Sequence, residues 1–94
     1  MKIYKYPLKF VPNKPALITV QGELLSVQIQ YGNIVCYATY SEESRKSTYE
    51  LVLCETGVEI DCIGDKEYLN TLILYNGTYV LHVFAKLINT EVHI

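Results

Sequence analysis

The stretch that decides the fold is Tyr68-Leu-Asn-Thr-Leu-Ile-Leu-Tyr-Asn-Gly-Thr-Tyr-Val-Leu-His-Val-Phe84. Two runs rich in aromatic and β-branched residues flank Asn76-Gly77. This dipeptide readily takes the positive φ that both central positions of a type I′ turn require, and the twist of that turn matches the twist of paired strands. The stretch therefore predicts a β-hairpin.

Further short strands precede this hairpin in the chain. Alternating or continuous apolar residues predict strands at residues 3–6, 17–20, 24–30, 34–40, 49–54 and 58–62. The run 34–40 is largely apolar on both faces, so we place it at the centre of a sheet. The polar, turn-rich residues 41–47 predict an exposed loop.

The same pattern sets the fold class. No window of the sequence has the apolar spacing of a four-turn amphipathic helix. We therefore predict an all-β fold with little or no helix, in which seven to eight short strands form a small antiparallel sandwich or a partly open barrel. Residues 1–85 form a single β-rich domain, and residues 86–94 form a C-terminal strand or arm. Unpaired strand edges and this apolar tail favour a homo-oligomer built by strand addition.

The composition limits the partners and the compartment. The 94 residues carry a net charge of −2, which gives no general attraction to nucleic-acid polymers or anionic membranes. Residues 1–20 hold four lysines and no acid, whereas residues 50–67 hold six acids against Lys66. This asymmetry is open to three interpretations: self-assembly, steering of a small anion, or two solvated faces. Three cysteines without CxxC spacing, with no signal peptide or long apolar run, indicate a reduced, cytoplasmic compartment.

Candidate catalytic and metal-binding residues lack partners in the sequence. His82 has no neighbour with triad or ligand spacing, which favours a histidine that is hydrogen-bonded at the edge of the core. The acids of residues 59–67 depart from the calcium-loop pattern. Cys36 and Cys54 have no adjacent basic residue to lower their pKa. We therefore expect no enzymatic activity, no metal and no cofactor.

Basic and aromatic residues interleave at the start of the chain, in Lys2-Ile-Tyr-Lys-Tyr and Lys9-Phe10. Such a pattern stacks bases and holds phosphates in single-strand binders. Because polymer affinity sums many phosphate contacts, a small nucleotide suits this acidic chain better than a nucleic-acid polymer. Plain strand structure is the alternative interpretation of the same residues.

Four blocks of sequence carry a family resemblance. They are Met1-Lys-Ile-Tyr-Lys-Tyr-Pro-Leu8, Leu24-Leu-Ser-Val-Gln-Ile-Gln30 with Gly32, Thr56-Gly57, and Tyr68-Leu-Asn-Thr71 followed by His82-Val-Phe84. In this order they make the chain resemble a family of small phage and prophage proteins that is described as a domain of unknown function. Tyr37 and Leu81 stand where that family tends to have tryptophan, and Asn70 stands where it usually has glycine. The resemblance implies a setting, the infected bacterial cytoplasm, rather than a reaction.

These observations lead to two hypotheses of function. The first is a non-enzymatic phage accessory protein for counter-defence, which binds and sequesters a nucleotide-derived immune signal in an oligomer. Tyrosine rings would stack on a base and cations would neutralise phosphates. The alternative is a protein-interaction module that inhibits a host protein or decorates a virion through exposed strand edges. The candidate ligand-binding residues of the first hypothesis are Tyr4, Lys5, Tyr6, Tyr37, Arg45, Lys46 and His82.

Overall fold

Two antiparallel sheets build residues 1–91, the part of the chain that the computed structural model describes. Seven strands lie within these residues: β1 (Lys2–Pro7), β2 (Ala16–Val20), β3 (Leu24–Gln30), β4 (Asn33–Tyr40), β5 (Ser47–Glu55), β6 (Glu67–Leu74) and β7 (Tyr79–Thr90). One sheet has the order β1-β4-β3 and the other has the order β2-β5-β7-β6. The predicted all-β sandwich is confirmed, and the sheets do not close into a barrel.

The hydrophobic core lies between the two sheets. Alternate residues of β5 and β7 point inward, and Leu51, Leu53, Leu81 and Val83 are fully buried. Burying a side chain of this size stabilises the fold by about 1.5–3 kcal/mol. The run 34–40 lies in β4, the middle strand of its sheet, as predicted.

The hairpin around Asn76 and Gly77 is also confirmed. The dihedral angles of Asn76 (φ 56, ψ 36) and the φ of 89 at Gly77 are those of a type I′ turn. Tyr75 also has a positive φ, 51°, so the strand ladder stops one pair before the turn, with Leu74 opposite Tyr79.

The predicted strand at residues 58–62 is wrong. Residues 56–66 form an irregular segment, here called the covering segment, which lies over the outer face of the four-stranded sheet. Lys66 fixes the end of the covering segment to β5. The Lys66 side chain is 5% exposed, and its Nζ lies 2.8 Å from Glu50 Oε1 and 2.9 Å from the Cys62 carbonyl oxygen. The alternation in burial is kept only in part: Ile60 and Cys62 are half-buried and Glu59 and Asp61 are exposed, but Val58 is exposed as well. These residues join no ladder, and β2 and β7 occupy both edges of β5, the strand that precedes them.

Two asparagines connect distant parts of the chain. Asn70 of β6 donates from Nδ2 to the Val27 carbonyl oxygen (2.7 Å) and accepts from the Val27 amide (3.2 Å), so it bridges the two sheets. Asn13 exchanges two hydrogen bonds with Glu55, of 2.6 and 2.9 Å, and its amide donates to the Leu53 carbonyl oxygen. The latter contacts fix the β1–β2 connection to the end of β5.

The end of the chain continues the sheet as far as it is described. β7 runs through position 86 without a break, and its pairing with β5 ends at Ser47 and Thr90. The predicted boundary between residues 85 and 86 thus falls inside a strand. Residues 92–94, the end of the predicted arm, lie outside the described residues.

Candidate functional site: a tyrosine cleft

A cleft opens between β1 and β2, beside the end of β4. Its volume is about 390 Å³, which is within the usual range for small-ligand sites. We call it the tyrosine cleft, and its lining residues are Tyr4, Tyr6, Thr19, Val20, Gln21, Tyr40 and Lys46.

Strand alternation places the aromatic rings in this cleft. In the β1–β4 pair, Tyr4 lies opposite Ala38 and Tyr6 lies opposite Cys36. Ala38 and Cys36 are fully buried, so side chains at these even-numbered positions point toward the other sheet. Tyr40, two residues after Ala38 in β4, lies on the same face. The Tyr4 and Tyr40 rings stack with centroids 4.4 Å apart and planes 10° apart.

The loop between β4 and β5 brings a cation to these rings. Gln21 donates from Nε2 to the carbonyl oxygens of Ser41 (3.2 Å) and Glu42 (3.1 Å), which holds the start of the loop against the end of β2. At the other end of the loop, the Lys46 carbonyl oxygen accepts from the Glu91 amide at 2.7 Å. A flat aromatic surface beside a lysine suits a planar molecule that carries negative charge.

The structure brings together three of the seven candidate residues: Tyr4, Tyr6 and Lys46 line the cleft. Arg45 is exposed in the neighbouring loop position, outside the cleft lining. Lys5 and Tyr37 lie opposite each other in the β1–β4 ladder. Their odd-numbered positions place them on the outer face of the three-stranded sheet, away from the cleft.

Tyr40 is the cleft residue that the sequence interpretation missed. A signal for it was present, because the alternation of residues 34–40 puts position 40 on the same face as the buried Cys36 and Ala38. The missing information was the pairing of β1 with β4, which brings Tyr4 against Tyr40.

His82 lies far from the cleft residues in the ladder, on the outer face of the four-stranded sheet. Its Nε2 is 2.8 Å from the Thr56 hydroxyl and its Nδ1 is 3.3 Å from the Thr71 hydroxyl. Cys54 is its partner in the β5–β7 ladder. Both ring nitrogens therefore have hydroxyl partners, and the contact with Thr56 links the covering segment to the sheet.

The fold shields the thiols of Cys36 and Cys54. Burial raises the pKa of Cys36 from 9.0 to about 11. The pKa of Cys54 is also raised, first by burial and then by Cys62, while Lys66 acts in the opposite direction. Thiolate, the reactive form, is thus disfavoured at both positions near neutral pH.

Thiol alkylation should therefore distinguish the cysteines by burial. At about pH 8, a pKa of about 11 reduces the thiolate fraction of Cys36 by roughly 100-fold relative to a thiol with the ordinary pKa of 9.0. We expect iodoacetamide to label the half-buried Cys62 first, and Cys36 only after unfolding in urea. Peptide mass mapping after timed labelling measures this order, and equal labelling of Cys36 and Cys62 in the folded protein would contradict it.

Comparison with known proteins places the chain in a family. By its fold and cleft, the protein is a two-sheet β-sandwich with a tyrosine-lined opening between two edge strands. Residues 1–92 match the family model of DUF7352, a domain of unknown function, and the chain belongs to that family. No curated protein and no solved structure matches the chain.

Two kinds of feature are absent from residues 1–91. No group of three or more histidine, cysteine, aspartate or glutamate side chains within residues 1–91 is arranged to hold a metal ion. In the same part of the chain, no helix has the length and apolar character needed to cross a bilayer.

Proposed function

We propose that this protein is a non-enzymatic binding protein whose tyrosine cleft holds a small nucleotide-like anion. The observation that carries the proposal is the Tyr4–Tyr40 stack with Lys46 lining the same cleft. Tyr4 is 39% exposed, so part of the stacked pair is accessible to a ligand. A base on this surface would gain about 1–3 kcal/mol from stacking.

Charge around the cleft supports an anionic ligand. Lys46 lines it, and Lys2 lies opposite Tyr40 in the β1–β4 ladder. Lys2 shares the even-numbered alternation of Tyr4 and Tyr6, so its ammonium group emerges on the side of the rings. Phosphates beside the stacked base would form charge-assisted hydrogen bonds with Lys46 and Lys2.

The biological role that we propose is counter-defence. A phage accessory protein in the host bacterial cytoplasm would sequester a nucleotide-derived immune signal without cleaving it. The resemblance of the sequence blocks to phage and prophage proteins supports this setting. The outward edges of β1 and β2, which the two sheets leave unpaired within the described residues, support a homo-oligomer that encloses the ligand.

Isothermal titration against cyclic dinucleotides, cyclic trinucleotides and ADP-ribose tests the binding function. We expect one of these compounds to bind, and Tyr4→Ala to weaken its binding about 5- to 150-fold through loss of stacking. Lys46→Ala should weaken binding and flatten its dependence on salt concentration. Tyr31→Ala is the matched control, since Tyr31 is 92% exposed and lies outside the cleft lining.

Mass spectrometry of the ligand separates sequestration from catalysis. Heat denaturation of the complex should release the compound with its mass unchanged. Absence of binding by all three ligand classes, in protein purified free of ligand, would overturn the proposal. Repeated release of a modified product would replace it with an enzymatic function.

The second candidate function is a protein-interaction module, which the free edges of β1 and β2 also favour. One version uses the acids of the covering segment, where Glu59 and Asp61 are exposed. In that version Glu59→Lys with Asp61→Lys should abolish capture of a host protein in a pull-down, while nucleotide titration gives no heat. Capture that survives the charge reversal would exclude this surface.

A further inference from the structure

We infer that the end of the sandwich opposite the chain's β4–β5 loop holds a second binding site, for an uncharged small molecule with a flat ring system. The β1–β2 connection, the β3–β4 turn and the β6–β7 turn meet there around a cavity of about 530 Å³. We call this cavity the terminal pocket. The inference goes beyond the proposed function, because the residues of the tyrosine cleft take no part in it.

The lining of the terminal pocket selects the chemistry of the ligand. Three aromatic rings (Phe10, Tyr75 and Tyr79) and two proline rings (Pro7 and Pro12) supply flat apolar walls. None of the lining residues carries a charge. An ionised ligand would lose its hydration there without gaining an ionic partner, so an uncharged ligand is favoured. The cavity volume is in the range of small-molecule sites.

The ring of Tyr75 lies at the mouth of the terminal pocket. Tyr75 has a φ of 51°, in the left-handed region that bulky residues rarely adopt. Its side chain is 74% exposed, so core packing gives no reason for a large aromatic residue at this position. Asparagine or glycine would adopt this conformation more readily. Tyr31 has the same backbone conformation outside the pocket, so the placement of the Tyr75 ring is what matters: it lies 6.3 Å from the Tyr79 ring and forms one lip of the pocket.

The opposite wall of the pocket is fixed by hydrogen bonds on both sides of Phe10. The Leu8 amide donates to the Ile34 carbonyl oxygen at 3.2 Å, which ties the start of the β1–β2 connection to β4. The Asn13 side chain, bound to Glu55, ties the end of the connection to β5. Phe10 lies between these two anchors, so the pocket is preformed and binding requires little ordering of the chain.

A neutral fluorescent probe, N-phenyl-1-naphthylamine, tests the inference. We expect saturable binding of one probe per chain and at least a five-fold loss of affinity in Tyr75→Asn, which keeps the left-handed turn and removes the ring. Tyr31→Asn is the matched control, because Tyr31 has a φ of 50° in the other turn, is 92% exposed and lies outside the pocket lining. The Tyr31→Asn variant should bind the probe with the same affinity as the unmodified protein.

Nuclear magnetic resonance of the unmodified protein locates the probe without any substitution. The neutral probe should shift the amide signals of Phe10, Ile34 and Leu74 and leave that of Tyr4 in place. Its anionic analogue, 1-anilinonaphthalene-8-sulfonate, should leave the signals of Phe10, Ile34 and Leu74 unshifted at the same concentration. Equal shifts by the two probes, equal losses in the two asparagine variants, or no fluorescence rise with the neutral probe would each overturn the inference. The nucleotide titrations test binding in the tyrosine cleft, so their result is independent of the result for the terminal pocket.

Discussion

The Gly22→Ala variant is expected to lose about 3 kcal/mol of unfolding free energy, because position 22 has no room for a methyl group. An added Cβ would clash with the carbonyl oxygen of Thr39 and lie 2.6 Å from its carbonyl carbon and 2.7 Å from its Oγ1. Contacts this short force the backbone to move, and forced shifts of this kind cost typically 1–3 kcal/mol and occasionally more.

The backbone around Gly22 is poorly able to move away. The Thr39 amide donates to the Glu23 carbonyl oxygen at 2.9 Å, and the Glu23 amide donates to Thr39 Oγ1 at 2.8 Å. Relief of the clash would break both hydrogen bonds and detach the β2–β3 turn from β4. Urea denaturation followed by circular dichroism measures the loss, and the thermal midpoint should fall by about 15 °C.

Gly57→Ala is the control for this prediction. A Cβ at Gly57 meets nothing within 4 Å, but its φ of +82° disfavours alanine. We expect a loss of only about 1 kcal/mol there, from the backbone conformation alone. Equal losses in the two variants would mean that the β2–β3 turn does not pack on β4 as described.

Asn70→Ala is expected to destabilise the protein by about 2–4 kcal/mol, because it removes both hydrogen bonds that Asn70 makes with the backbone of Val27. Val27 is fully buried, so its amide and carbonyl groups would be left without this partner. Asn89→Ala is the control: Asn89 is exposed, and surface substitutions of this kind usually change stability by less than about 0.5 kcal/mol.

The Asn70→Asp variant tests the direction of the two hydrogen bonds. An ionised carboxylate accepts from the Val27 amide but repels the Val27 carbonyl oxygen, so at neutral pH this variant should be less stable than Asn70→Ala. The folded protein would favour the protonated acid, which raises the folded pKa above its unfolded value of about 3.9. Stability relative to the unmodified protein is therefore expected to recover below about pH 4 and to fall as the pH rises. A pH-independent loss would contradict the described geometry.

The strands could be predicted because their signals are local. Leu25, Val27 and Ile29 alternate with polar residues in the run 24–30, and β3 has these bounds in the structure. The register shift between Leu24 and Ser26 buries Leu24 and leaves Leu25 exposed, which the alternation does not predict. Asn76-Gly77 fixes its turn through the φ preferences of two residues. Residues 58–62 alternate equally well, but a strand also needs a partner strand, and which strands pair depends on the order of strands in the sheet. Sequence alternation alone does not contain this order.

The site could be predicted in part for the same reason. Interleaved basic and aromatic residues pointed to Tyr4 and Tyr6, which line the cleft with Lys46. Alternation within β1 already separates Lys5 from these tyrosines, since neighbouring positions face opposite sides of a sheet. The role of Asn70 has no local signal, because it arises where a register shift between Tyr68 and Asn70 meets a strand of the other sheet.

The position of β7 also affects when this protein can fold during synthesis. β7 lies between β5 and β6 in the four-stranded sheet, yet the ribosome makes it after the six other strands. Until β7 leaves the exit tunnel, β6 has no ladder partner, and Leu81 and Val83 are missing from the core cluster around Leu51 and Leu53. The four-stranded sheet can therefore be completed only after β7 has been synthesised, when this strand is inserted at its centre.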